Sequence, residues 1–137
     1  MKIITRNEYL NRMIELNGTP DIKIITGIRR SGKSKLMQAY INYLKKQSEN
    51  INIIFIDFMD LAFEKIREYH ALHSYAEEHF QEGKVNYLFV DEVQMCPEFE
   101  LAINSLYSKG KYDIYLTGSN AFLLSADLAT LFTGRYI

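Results

Sequence analysis

Cysteine, proline and long apolar runs are all scarce in this chain of 137 residues. There is one cysteine, Cys96. It has no intramolecular partner, so an internal disulfide is excluded, and a reducing cytoplasmic setting is the expectation. No apolar run approaches the roughly 20 residues that a membrane-crossing helix requires, so no membrane association is expected. The start, Met1-Lys2-Ile3-Ile4-Thr5-Arg6, has no signal-peptide h-region. Low-complexity segments, internal repeats and linkers are missing too. With 47% hydrophobic residues, the composition belongs to one folded domain with a real core. A basic stripe with interleaved aromatics is also absent, so a nucleic-acid partner has no support. The ten tyrosines and eight phenylalanines fall mostly on expected core faces and are read as core packing.

What is present is concentrated in one stretch, Gly27-Ile28-Arg29-Arg30-Ser31-Gly32-Lys33-Ser34. It has the form G-x-x-x-x-G-K-S, the Walker A or P-loop pattern. The β-branched run Ile22-Lys23-Ile24-Ile25-Thr26 before it reads as a buried strand. From Lys35 to about Gln47, apolar residues fall at helical spacing. A glycine loop between strand and helix wraps backbone N–H groups around a polyphosphate, and the helix N-terminus adds partial positive charge. Residues 27–35 are therefore the expected nucleotide-binding segment: Gly27, Ile28, Arg29, Arg30, Ser31, Gly32, Lys33, Ser34 and Lys35. Lys33 is expected to reach the β- and γ-phosphates, and the Ser34 hydroxyl to ligate Mg²⁺. Arg29 and Arg30 either touch phosphate or pair with acids such as Asp57.

Charge is unevenly distributed behind a net value of −1. Residues 22–48 hold seven basic residues and no acid, whereas residues 57–100 hold eleven acids and three basic residues. Two arms of opposite sign suit Mg²⁺-polyphosphate, although Lys45, Lys46, Glu77 and Glu78 read as solvated helix faces. The near-neutral total argues against a large nucleic-acid footprint.

Along the chain, Thr5 and Glu8 form a capping-box signature for a helix over about 6–17, closed by Asn17-Gly18 and Pro20. A second strand is expected over 51–57, a helix over 64–82 stopped by Gly83, and a third strand over 87–91. Pro97 is expected at the first position of a helix running to Gly110. A fourth strand spans 114–117, short helical turns fill about 120–132, and residues 135–137 begin a fifth strand. Strands alternating with helices predict a parallel sheet covered on both faces.

The third strand ends in Asp91-Glu92 after four apolar residues, the Walker B pattern. A parallel strand delivers such acids to its C-terminal end, where sites collect. Asp91 is expected to hold Mg²⁺ and Glu92 to polarise the attacking water. Thr117-Gly118-Ser119-Asn120 ends the fourth strand. There Ser119 or Asn120 is the expected γ-phosphate sensor, with Gln94 a candidate of lower weight. Arg135 is a candidate arginine finger, in cis or from a neighbouring subunit, or else a strand-edge arginine paired to an acid. His70, His73 and His79 read as an exposed helical face rather than a metal site.

Together, residues 27–34, 88–94 (Leu-Phe-Val-Asp-Glu-Val-Gln), 116–125 and 131–136 (Leu-Phe-Thr-Gly-Arg-Tyr) resemble a family of prokaryotic AAA-type P-loop ATPases. The resemblance implies a three-layer αβα P-loop NTPase of the additional-strand, catalytic-glutamate branch. Its sheet order would be 5-1-4-3-2, with the fifth strand truncated here. Ser119 or Asn120 would then lie in the sensor 1 region. Family members are typically longer and carry a separate C-terminal domain of poorly defined function, often nuclease-like. Residues 1–137 are accordingly expected to be the ATPase domain at the N-terminal part of a longer protein.

The resulting expectation is ATP binding and Mg²⁺-dependent hydrolysis, with Lys33, Glu92 and Arg135 as the catalytic set. ATP is favoured over GTP because no Asn-Lys-x-Asp motif occurs. A nucleotide-dependent switch with little turnover is the alternative. The expected partners are ATP, a second copy of the chain, and a missing C-terminal domain or protein.

Overall fold

The computed structural model of the chain describes residues 6–25, 30–119 and 134–136. Five strands form one sheet: β1 (Ile22–Ile25), β2 (Ile51–Asp57), β3 (Val85–Asp91), β4 (Tyr112–Thr117) and β5 (Gly134–Tyr136). Every pairing is parallel, and the order is β2-β3-β4-β1-β5. Read from the other edge this is 5-1-4-3-2, as the resemblance implies. The helices are α1 (Arg6–Glu15), α2 (Arg30–Gln47), α3 (Tyr69–His79) and α4 (Phe99–Ser108).

The strands alternate their side chains between two apolar layers, as a sheet covered on both faces must. Tyr87 and Phe89 of β3, with Ile25 and Tyr115, pack against Tyr9 and Met13 of α1 and Leu36, Met37 and Tyr40 of α2. Leu88 and Val90, with Ile24, Ile56 and Leu116, pack against Leu72 and Ala76 of α3 and Phe99, Ile103 and Leu106 of α4. The tyrosines at 40, 87 and 115 are therefore core residues. The Phe89 and Tyr115 rings stack with centroids 4.9 Å apart.

The helix expected over 64–82 is divided. A 3-10 turn covers Leu61–Ile66, and α3 starts only at Tyr69. The side chain of Glu68 caps α3 by accepting from the N–H groups of His70 and Ala71, and Asp60 caps the 3-10 turn through Ala62. The Arg67 guanidinium donates to the Phe58 carbonyl, which anchors the break to the end of β2. Gly83 lies past the helix with φ +83°, the left-handed conformation that glycine adopts without a steric penalty. Pro97 precedes α4 instead of opening it, because Glu98 is left-handed at φ 58° and the helix begins at Phe99. The helix expected from Lys35 begins earlier, so 30–34 form its first turn.

Burial raises the pKa of Tyr40, Tyr87, Tyr112 and Tyr115, and pushes the Cys96 thiol up to about 12. For Tyr115, the nearby Asp113 carboxylate adds to the burial. Each group is a neutral acid that ionises more readily once unfolded. Its contribution is complete below the unfolded value, 9.0 for the thiol and 10.0 for the phenols, and is lost as pH rises above it. Urea midpoints are expected to fall as pH rises from about 9 towards about 12. The Cys96 thiol is expected to resist an aromatic disulfide reagent near pH 8 until the protein unfolds.

Candidate functional site

The first turn of α2 and the C-terminal ends of β3 and β4 meet at one place. In the β3–β4 register Val90 faces Leu116, so the next residues along, Asp91 and Thr117, are brought side by side. Asp91 is 2% exposed and its carboxylate is divided between two hydroxyls. One oxygen accepts from Ser34 Oγ at 2.6 Å, and the other accepts from Thr117 Oγ1. Thr117 Oγ1 also accepts from the Glu92 N–H at 3.0 Å. Thr117 is fully buried and thus ties both acids to the neighbouring strand.

Glu92 adopts a left-handed backbone at φ 57°, a conformation that is uncommon for a residue with a Cβ. It turns the chain out of β3 into a 3-10 turn over Val93–Met95. Gln94, inside that turn, donates through Nε2 to Glu92 Oε2 at 2.6 Å. Lys33 is 3% exposed and its ammonium donates to the Gly118 carbonyl. The structure therefore brings together Lys33, Ser34, Asp91 and Glu92 from the predicted set. It sets Lys33 on the end of β4, a contact that the expectation of a phosphate-directed lysine did not include.

The remaining candidates divide by position. Gly32 lies in the first turn of α2, Lys35 is exposed on that helix, and Ser119 is exposed just past β4. For Arg30 and Ser31 the helical backbone is described, and for Arg135 only its place in β5, paired in register with Lys23. Gly27, Ile28, Arg29 and Asn120 lie outside the described residues, as do Thr5 of the capping box and the expected turns over 120–132. The Asp57 carboxylate accepts from the Met59 N–H at 2.9 Å. His70 is solvent-facing, with Nδ1 2.8 Å from Glu68, and His73 lies 2.9 Å from Glu77. No group of three or more His, Cys, Asp or Glu able to hold a metal occurs among the described residues. Thr117 belongs to the strand-end segment that the sequence singles out, but the expected sensor was Ser119 or Asn120, two and three residues further on. The available signal was a small hydroxyl residue at the end of a buried strand.

The donor set suits Mg²⁺. Ser34 and Asp91 are hard oxygen ligands 2.6 Å apart, and Mg²⁺ commonly takes one or two protein oxygens and fills its octahedron with water and phosphate. Because Ser34 gives its proton to Asp91, its lone pairs are available to a cation.

A parallel sheet in this order, with a G-x-x-x-x-G-K-S segment entering a helix and an Asp-Glu pair ending the strand two places away, defines an additional-strand P-loop NTPase. A family model described as an AAA domain matches residues 19–137, and the chain belongs to that AAA-type P-loop ATPase family. An uncharacterized protein of Haemophilus influenzae is 35% identical over 98% of this chain and 34% of its own length. Uncharacterized protein MJ1544 of Methanocaldococcus jannaschii is 30% identical over 98% of this chain and 30% of its own length. The chain thus spans about a third of the curated relatives it matches. Among solved structures, C. elegans PCH-2 shares the fold with a TM-score of 0.59 at 13% identity, covering 96% of this chain and 42% of that one. The Aeropyrum pernix ORC2 protein shares it with a TM-score of 0.54 at 11% identity, covering 96% and 45%. No helix among the described residues is long and apolar enough to cross a membrane.

Proposed function

We propose that this domain binds ATP and hydrolyses it with Mg²⁺. The observation that carries the reading is the Ser34–Asp91 hydrogen bond, which joins the phosphate-loop helix to the acidic strand end with Glu92 next along. In this reading Ser34 and Asp91 hold the cation, directly or through water, and residues 27–35 enclose the phosphates. Bound Mg²⁺ supplies charge neutralisation on the phosphate oxygens. The ORC2 structure is of ADPNP–ADP complexes, which supports an adenine nucleotide here.

The chemistry asked of the chain is small. Lys33 exchanges the Gly118 carbonyl for phosphate oxygens and offsets the charge that builds on them. Glu92 accepts one proton of the attacking water. The water oxygen bonds to the γ-phosphorus while the bond from that phosphorus to the bridging oxygen breaks, leaving ADP and inorganic phosphate. Ser119 and Asn120 follow β4 and are assigned to sensing the γ-phosphate. Arg135 is assigned as the arginine finger, in a neighbouring copy or in cis. In the same reading the 137 residues are the ATPase domain of a longer cytoplasmic protein. The rest of that protein, or a partner, takes up the output.

Two measurements test the reading. ATP with Mg²⁺ is expected to raise the melting temperature, by about 2.7 kcal/mol of stabilisation at a hundredfold excess over Kd. Phosphate release per subunit is expected to rise with protein concentration if Arg135 acts between copies. Thermal stabilisation without phosphate release at any concentration would replace hydrolysis with a nucleotide-dependent switch. The absence of both would end the proposal.

A further inference from the structure

Gln94 lies against the side chain of Glu92. Its Nε2 donates to Glu92 Oε2 at 2.6 Å, while its Oε1 is buried and has no hydrogen-bond partner among the described residues. A carboxylate offers only acceptors, so the amide nitrogen must face Glu92 and the carbonyl oxygen must face away. The backbone enforces this arrangement. Glu92 is left-handed, the Met95 N–H donates to the Glu92 carbonyl at 3.1 Å, and the Cys96 N–H donates to the Val93 carbonyl at 3.0 Å. That tight turn folds the Gln94 side chain back over the residue two positions before it. An unpartnered buried acceptor is costly, and such groups in folded proteins call for an explanation.

We propose that Gln94 is the positioning residue for Glu92: its amide nitrogen holds the carboxylate in the one orientation from which it takes a proton of the attacking water, and its own carbonyl oxygen is left without a partner among the described residues as a result. The inference rests on the hydrolytic reading above. Glu92 alone takes the proton, and Gln94 acts through it. The amide is neither protonated nor consumed. The Gln94–Glu92 bond gives the carboxylate one rotamer, where a free glutamate would sample several.

Gln94→Met keeps the length of the side chain and removes both amide functions. Gln94→Glu keeps an acceptor, removes the donor, and serves if the methionine variant folds poorly. Each is expected to lower kcat on the order of 10–100-fold while KM for ATP stays within about twofold, because in this reading the residue touches neither phosphate nor adenine. Placed in a Glu92→Gln background, Gln94→Met should cause little further loss, since it acts through the group already removed. A purely structural residue would lose activity equally in both backgrounds, and that result would overturn the proposal. So would wild-type kcat in Gln94→Met.

A readout independent of ATP is the side-chain amide signal of Gln94 in a nitrogen–proton NMR spectrum. It should shift and exchange faster in Glu92→Ala, and an unmoved signal would deny the contact. If the unmodified protein releases no phosphate, the hydrolytic reading fails and this proposal with it. If it does release phosphate and Gln94→Met matches it, only the role of Gln94 fails.

Discussion

Glu92→Gln is expected to reduce ATP turnover by about 10²–10⁴-fold and to leave ATP affinity unchanged. The substitution is nearly isosteric, so it isolates the proton acceptor from the architecture. The Glu92 N–H would still donate to Thr117 Oγ1. The left-handed turn at φ 57° is a backbone feature that the new side chain does not alter. The carbonyl of the new amide can still accept from Gln94 Nε2, which now lies 2.6 Å from the carboxylate. Ser34 and Asp91 keep their bond, so cation and phosphate binding should persist. Only the proposed proton acceptor is lost. Phosphate release and nucleotide titration, run on the same preparation, are the check. Full turnover in the variant would remove Glu92 from the mechanism. Simultaneous loss of binding and turnover would mean that it builds the site instead of reacting in it.

Lys23→Ala is expected to destabilise the domain by about 3–5 kcal/mol. That corresponds to a fall on the order of 10–20 °C in melting temperature for a domain of this size. Lys23 is fully buried in the centre of β1. Its ammonium lies 2.6 Å from Asp113 Oδ1 and donates to the Thr19 carbonyl at 2.6 Å. It also sits 5.3 Å from the centre of the Tyr115 ring. The other oxygen of Asp113 accepts from the Gly18 N–H and from the Tyr115 hydroxyl, each at 3.0 Å. Tyr115 lies 2.9 Å from the Tyr40 hydroxyl on α2. Six residues thereby join the α1–β1 turn, two strands and helix α2. Removing the lysine strands a carboxylate in the core, which costs far more than the pair contributes as a whole. Lys23→Met combined with Asp113→Asn should therefore recover much of the loss, because no lone buried charge remains. A thermal melt of the single and double variants decides it. A single variant as stable as the parent would show that the pair is not held as a buried charge pair.

These two residues show how unevenly the structure could be read from the chain. β2 was expected over 51–57 and is found over Ile51–Asp57, because five of its seven residues are isoleucine or phenylalanine. Lys33, Ser34, Asp91 and Glu92, which the structure brings together, could be picked out because each lies inside a local motif. The sheet order came from the family resemblance and could not have come from spacing. The split of the helix expected over 64–82 depends on Arg67 reaching back to the Phe58 carbonyl. Periodicity within the helix carries no trace of that bond. Lys23 looked like a lysine inside a buried strand, and nothing nearby in sequence announced Asp113, ninety positions away.

What the sequence determined by itself was the local part: where strands and helices form, and which residue types stand at their ends. Side-chain periodicity and the backbone demands of a phosphate loop are short-range properties, written into neighbouring positions. Tertiary structure alone decided which of those ends meet. The β3–β4 register sets Thr117 against Asp91, so one hydroxyl serves both acids. The same folding sets Lys33 on Gly118 and Lys23 on Asp113. Such contacts follow from strand order and register, which are fixed by the packing of two apolar layers over the whole sheet and not by any single stretch of chain.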